Sequence, residues 1–126
     1  MKPCTPARSV REFKELMQTD PEEVYFIRSA EDWERFRRNA DSQENPLEPL
    51  TEEEVEEFTR SLVFRNGGLA GAKVDVIETR LSYRQYRNLM GAFGMDIVLE
   101  RDYRGWYCSA RGTCRQETLA ICTSNC

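Results

Sequence analysis

Four of the five cysteines of this chain fall in its last nineteen residues, CSARGTCRQETLAICTSNC, as Cys108, Cys114, Cys122 and Cys126, with Cys4 alone near the other end. Sulfur at that density ties a segment to itself through disulfides or a shared metal, unless reducing surroundings leave the thiols free. The spacing C-x5-C-x7-C-x3-C contains no C-x2-C knuckle, so it matches neither zinc ribbons nor the common ferredoxin patterns. Two local disulfides among four cysteines allow three connectivities. A Cys4 metal site is the other organised outcome. At least one pair is expected to be bonded or to share a metal.

The rest of the chain reads as one compact domain. The full chain of 126 residues, 40% hydrophobic and 32% charged, suffices to bury a core without staples. No apolar run approaches the ~18 residues of a spanning helix. The opening MKPCTPARSVREF carries no apolar signal core, so the expectation is a cytoplasmic protein. Histidine is absent, which removes imidazole acid–base work, Ser/His and Cys/His nucleophile pairs, and zinc sites with a His ligand.

Charge is uneven: residues 1–66 carry a net −6 and residues 67–126 a net +2. Two such halves pack against one another or present a dipolar surface to a partner. With a pI near 5.0 and no basic stripe of any length, sequence-independent nucleic-acid binding is not expected.

Helix starts are marked three times by a hydroxyl followed three residues later by Glu or Gln: Ser9 with Glu12, Thr51 with Glu54, and Ser82 with Gln85. Behind them run the stripes Val10/Phe13/Leu16/Met17, Val55/Phe58/Leu62/Val63 and Tyr86/Leu89/Met90/Phe93. Ser29 with Asp32 opens a further helix that turns Trp33 and Phe36 inward and ends near Ala40. The glutamates from Glu52 to Glu57 suit the first turns of a helix, with Asn66-Gly67-Gly68 as its C-cap. Val24–Ile27 reads as a short strand and DSQENPLEPL, residues 41–50, as a loop. Residues 69–81 fit a helical period better than an alternating one. Ile97–Arg101 and Trp106–Cys108 read as the arms of a hairpin turning through Asp102–Gly105. The expected fold is α+β: three to four amphipathic helices packed on a small antiparallel β-hairpin, with residues 1–107 as the domain and the Cys-rich tail 108–126 packed on it.

No catalytic constellation emerges. Gly67-Gly68-Leu-Ala-Gly71 lacks the lysine and spacing of a phosphate loop. A tail cysteine activated by Arg111 or Arg115 has no neighbouring base. The expectation is therefore a small non-catalytic bacterial binding or assembly protein that recognises a partner protein and is able to self-associate. Its contact residues would be the basic stripe Arg80, Arg84 and Arg87, facing the glutamates of the acidic helix, and the aromatic group Tyr103, Trp106 and Tyr107, since Arg, Tyr and Trp dominate interface energetics. No cofactor is expected beyond a metal at Cys108, Cys114, Cys122 and Cys126.

Cys, Ser and Thr fill nine of the nineteen tail positions, the mixture that lanthionine cross-linking consumes. With the acidic segment ending at Gly67-Gly68, the layout resembles precursors of ribosomally made, enzymatically modified peptides. That resemblance implies an upstream leader and a modified C-terminal core. It is the alternative to the binding protein, and a Cys4 metal-binding domain is a further one.

Overall fold

The computed structural model describes residues 2–38 and 45–126, so the helix end expected near Ala40 and the start of the loop at 41–50 lie outside the described residues. Helix α1 (Val10–Met17) begins where the Ser9 hydroxyl accepts the Glu12 N–H at 3.1 Å, although the Glu12 carboxylate reaches back to the N–H of Arg8 instead of completing the box on Ser9. Ser29 opens α2 (Ala30–Arg38) by accepting the Asp32 N–H. Complete capping boxes start α3 (Glu52–Ser61) at Thr51 and Glu54, and α5 (Tyr83–Ala92) at Ser82 and Gln85. Each box satisfies two backbone donors that a helix start otherwise leaves unpaired.

These helices deliver aromatic side chains to one point. Trp33 of α2 stacks on Phe93 at 5.5 Å, and Phe58 of α3 stands edge-on to it at the same distance. The indole N–H reaches Thr59 Oγ1 at 2.9 Å, so burying Trp33 leaves no unpaired donor. The same core takes in Phe13 from α1 and Ile121 from the Cys-rich segment.

The helices pack with a four-stranded antiparallel sheet of order β3-β4-β6-β5, made of β3 (Val63–Arg65), β4 (Gly68–Lys73), β5 (Arg104–Ala110) and β6 (Thr113–Cys122). A separate parallel pair, β1 (Lys2–Pro3) with β2 (Val24–Tyr25), ties the N-terminus to the chain after α1. The fold is thus α+β, with six helices among the described residues, α4 (Asp75–Arg80) and α6 (Ile97–Tyr103) being the shortest.

Three segments differ from the sequence reading. The chain after α3 does not stop on a glycine cap: it turns into β3, and Asn66 and Gly67, at φ of 55° and 88°, make the tight turn into β4. Two consecutive left-handed residues give the turn whose twist suits a hairpin, and Asn-Gly is the pair that adopts it most cheaply. Residues 69–81 are strand and then helix, β4 followed by α4, because the small residues of GLAGAK must pass close to other chain. A Cβ on Gly71 would sit 3.0 Å from the Cβ of Cys108. Ile97–Arg101 is not a strand but part of α6, started by the Asp96 carboxylate accepting the Val98 N–H at 2.9 Å. The hairpin is instead β5 with β6, turning at Arg111 and Gly112.

Strand β6 lies between β4 and β5, so most of the Cys-rich segment is inside the sheet. It is sharply bent. Arg104 pairs with Ile121 but Trp106 with Gln116, so the partner strand spends five residues where β5 spends two. The excess is absorbed around Leu119, a non-glycine residue at φ 60°, whose carbonyl accepts the N–H of Val74.

Candidate binding surfaces

The bend decides the sulfur chemistry. A straight strand would carry Cys114 and Cys122 roughly 26 Å apart at ~3.3 Å per residue. Doubling back brings their Cα atoms to 5.9 Å, and they form a disulfide. Cys126 returns over the hairpin to bond Cys108, with the Gly112 N–H donating to the Cys126 carbonyl. The Sγ atoms of Cys108, Cys122 and Cys126 lie within 4.8 Å of one another, so the two bridges form one sulfur cluster. Cys4 is a free, half-buried thiol, and burial pushes its pKa up. The end of the chain is anchored as well: Thr123 donates its hydroxyl to the Leu69 carbonyl at 2.6 Å, and Asn125 donates its amide to the same oxygen at 3.2 Å.

The three expected aromatic contact residues do not share one element: Trp106 and Tyr107 lie on β5 of the stapled hairpin, whereas Tyr103 ends α6. Trp106 is 47% exposed on β5, one of the two edge strands of the sheet. A shallow groove beside it is lined by Asp102, Tyr103 and the Cys114–Cys122 bridge. Tyr103 is buried edge-on to Phe13 and donates its hydroxyl to Ser124, so it contributes little exposed surface to that groove. Tyr107 points to the opposite side of the strand, half-buried, and donates to the Ser61 carbonyl at 2.8 Å. Burial and then the nearby Glu117 carboxylate raise its phenol pKa.

Arg80, Arg84 and Arg87 do not share one helix. Arg80 ends α4, while Arg84 and Arg87 belong to α5 beyond the break at Leu81 and Ser82. All three are exposed. Arg80 is held by Glu54 at 3.2 Å and by the Pro49 carbonyl at 3.0 Å, which accounts for one expected contact between the acidic helix and the arginines. The carboxylate that makes it is Glu54, whereas Glu56 bonds Arg37 of α2.

A second concave feature, which the sequence reading did not single out, opens between the α4–α5 turn and α6. Its volume is about 510 Å³. Glu100 lies fully buried in its wall, and one carboxylate oxygen, Oε1, takes the Tyr86 hydroxyl at 3.2 Å and Arg104 Nε at 2.9 Å. Arg104 also donates to Glu78 and, at 3.1 Å, to the Tyr86 hydroxyl. Burial opposes the charge on Arg104, but the hydrogen bonds to Glu78 and Glu100 outweigh it and hold the guanidinium firmly protonated. Burial first, and the adjacent Glu100 carboxylate second, push the Tyr86 phenol well above its ordinary range. The available signal was the i,i+4 pair Glu100 and Arg104, which faces one way only on a helix; reading 97–101 as a strand hid it.

Comparison with family models, curated proteins and solved structures gave no significant match.

Proposed function

We propose that this chain is a disulfide-stapled, non-catalytic recognition domain whose β5 edge, centred on Trp106, receives an extended segment of a partner protein. The observation that carries this reading is a large, nearly half-exposed indole on an edge strand bounded by two cystines. An open edge offers backbone donors and acceptors to a further strand, and an exposed aromatic supplies the anchor that backbone pairing lacks. The staples hold that edge in shape, so less conformational freedom is lost on binding. Cystines persist where thiols are oxidised, so the reading favours oxidising surroundings over the cytoplasm expected from the sequence.

The test is a selection of extended peptides on the oxidised protein, followed by amide chemical-shift mapping. Shifts are expected along Gly105–Ala110. Trp106→Ala should abolish them while leaving the melting temperature within a few degrees. A large loss of stability in that variant, or shifts confined elsewhere, would remove the reading. Pairing of two copies through β5 would appear as a concentration-dependent mass in solution.

The convergence of Cys108, Cys122 and Cys126 favours a second reading for the fully reduced protein, in which these thiolates bind a soft metal ion. Native mass spectrometry of reduced protein with Zn²⁺ tests it. A modified-peptide precursor has less support, because Cys122, Thr123 and Asn125 are buried in the fold rather than displayed for modification.

A further inference from the structure

The two cystines are not equivalent. Cys114 is exposed, and its bridge to the buried Cys122 lines the groove beside Trp106, whose volume is about 370 Å³. In the other bridge Cys108 is buried and Cys126 half-buried. Cys122 belongs to both settings: bonded to an accessible sulfur, it holds its own Sγ within 4.8 Å of both sulfurs of the Cys108–Cys126 bridge. That position does not rest on the bond to Cys114. Cys122 pairs with Gly71 of β4, and Thr123 after it is fastened to the Ala70 and Leu69 carbonyls. Gly71 is also the residue whose missing side chain admits Cys108, so one glycine places both buried cysteines. The Cys114–Cys122 bond, by contrast, clamps the bend in which Leu119 is held at φ 60°, a region that side chains other than glycine rarely adopt. Opening that bond relaxes the bend and leaves a Cys122 thiolate beside a second disulfide.

We propose that Cys114 is a thiolation site for a small monothiol, and that its modification is relayed through Cys122 to a free thiol at Cys126. The monothiol, as its thiolate, attacks Cys114 Sγ; a mixed disulfide forms there, the Cys114–Cys122 bond breaks, and its electron pair leaves on Cys122. The Cys122 thiolate then attacks Cys108 Sγ, forming Cys108–Cys122 and expelling Cys126, which takes the proton that the monothiol lost. Two S–S bonds and one S–H stand on each side, so the relay needs no oxidant or reductant. Cys126 is the sulfur expelled because a half-buried thiolate at the chain end is solvated, whereas a Cys108 thiolate would be left in the apolar core. The relay is independent of partner docking at the Trp106 edge, and it operates in the oxidised protein, where soft-metal binding does not arise.

Glutathione is the probe, added at millimolar concentration to the folded, oxidised protein without oxygen. Samples are quenched with acid, labelled with a maleimide and mapped by mass spectrometry without reduction. The expected map has glutathione on Cys114, maleimide on Cys126 and a new Cys108–Cys122 bridge. Attack of Cys126 on the mixed disulfide would expel glutathione but keep the new bridge, so Cys108–Cys122 is the signature in either event. Replacing Cys108 and Cys126 together by serine removes the acceptor bridge, and the maleimide should then fall on Cys122. Replacing Cys114 and Cys122 by serine removes the entry sulfur and should slow reaction with glutathione by about tenfold or more. Each double variant keeps one bridge, and circular dichroism checks its fold; the map of the parent protein decides the matter if either fails to fold. Four results would overturn the proposal: no Cys108–Cys122 bridge after exposure to glutathione, glutathione attached first at Cys108 or Cys126, a Cys122–Cys126 bridge in its place, or undiminished reaction in a folded variant lacking Cys114 and Cys122.

Discussion

At the scale of single residues, glycine placement shows how closely the sheet is built. Gly71 faces Cys108 with its backbone, and an added methyl would meet Cys108 Cβ at 3.0 Å and Cys108 N at 3.2 Å. These atoms belong to a bridged residue and to backbone, so they have little room to give. Gly91 is the opposite case: it lies inside α5, where an added Cβ would meet only Pro6 Cγ at 3.5 Å. Gly71→Ala should therefore destabilise the protein by about 1–3 kcal/mol through overpacking. Gly91→Ala should stabilise it by up to ~1 kcal/mol, because alanine loses less backbone entropy in a helix. Denaturant midpoints of the two variants check the pair, and the same sign for both would refute the packing argument.

Among the elements, β6 carries the most consequence. Its bend at Leu119 sets the register with β4 on one side and β5 on the other, and it creates the Cys114–Cys122 bridge. That bridge spans a sequence separation of 8, and Cys108–Cys126 one of 18. In the chain-entropy account, bridges over loops of this size contribute about 2–3 kcal/mol each. Replacing Cys108 and Cys126 together by serine should lower the melting temperature on the order of 10 °C. Replacing Cys114 and Cys122 should cost somewhat less, in keeping with the shorter loop. Thermal unfolding of the two double variants measures both, and an unchanged temperature would mean that the bend holds without its staple.

For the whole molecule, the buried Tyr86–Glu100–Arg104 network links stability to pH. The folded-state pKa of Tyr86 lies above its unfolded value near 10, so the folded protein keeps a proton that the unfolded chain releases. The sign follows: the stabilisation is complete below about pH 10 and is lost as pH rises beyond it. Tyr107 shifts in the same direction, for the same leading cause, burial. Tyr86→Phe should flatten the alkaline fall in stability while costing about 1–2 kcal/mol at neutral pH through the loss of its hydrogen bonds to Glu100 and Arg104. Denaturation midpoints between pH 8 and about 11 check this, and an alkaline limb as steep as that of the parent would assign the titration to another group.

The sequence by itself determined the features written in local chemistry. Hydroxyl caps and apolar stripes located α1, α2, α3 and α5, and the clustering of four cysteines announced a cross-linked C-terminus. Both are short-range signals, readable within one helical turn or one short segment. Tertiary structure decided what depends on distant chain. GLAGAK is strand because Gly71 must pass against Cys108, 37 positions away, and nothing in its own periodicity says so. IVLERDY contains enough β-branched and apolar character to be read as strand, yet it becomes helix because the Asp96 cap starts it and its apolar residues Ile97, Leu99 and Tyr103 pack into the core. The disulfide pairing was open among three connectivities until a bend at Leu119 brought together two cysteines of one strand. The cleft was hidden for the same reason, since Glu78, Tyr86, Glu100 and Arg104 converge from α4, α5, α6 and β5 only once the helices pack.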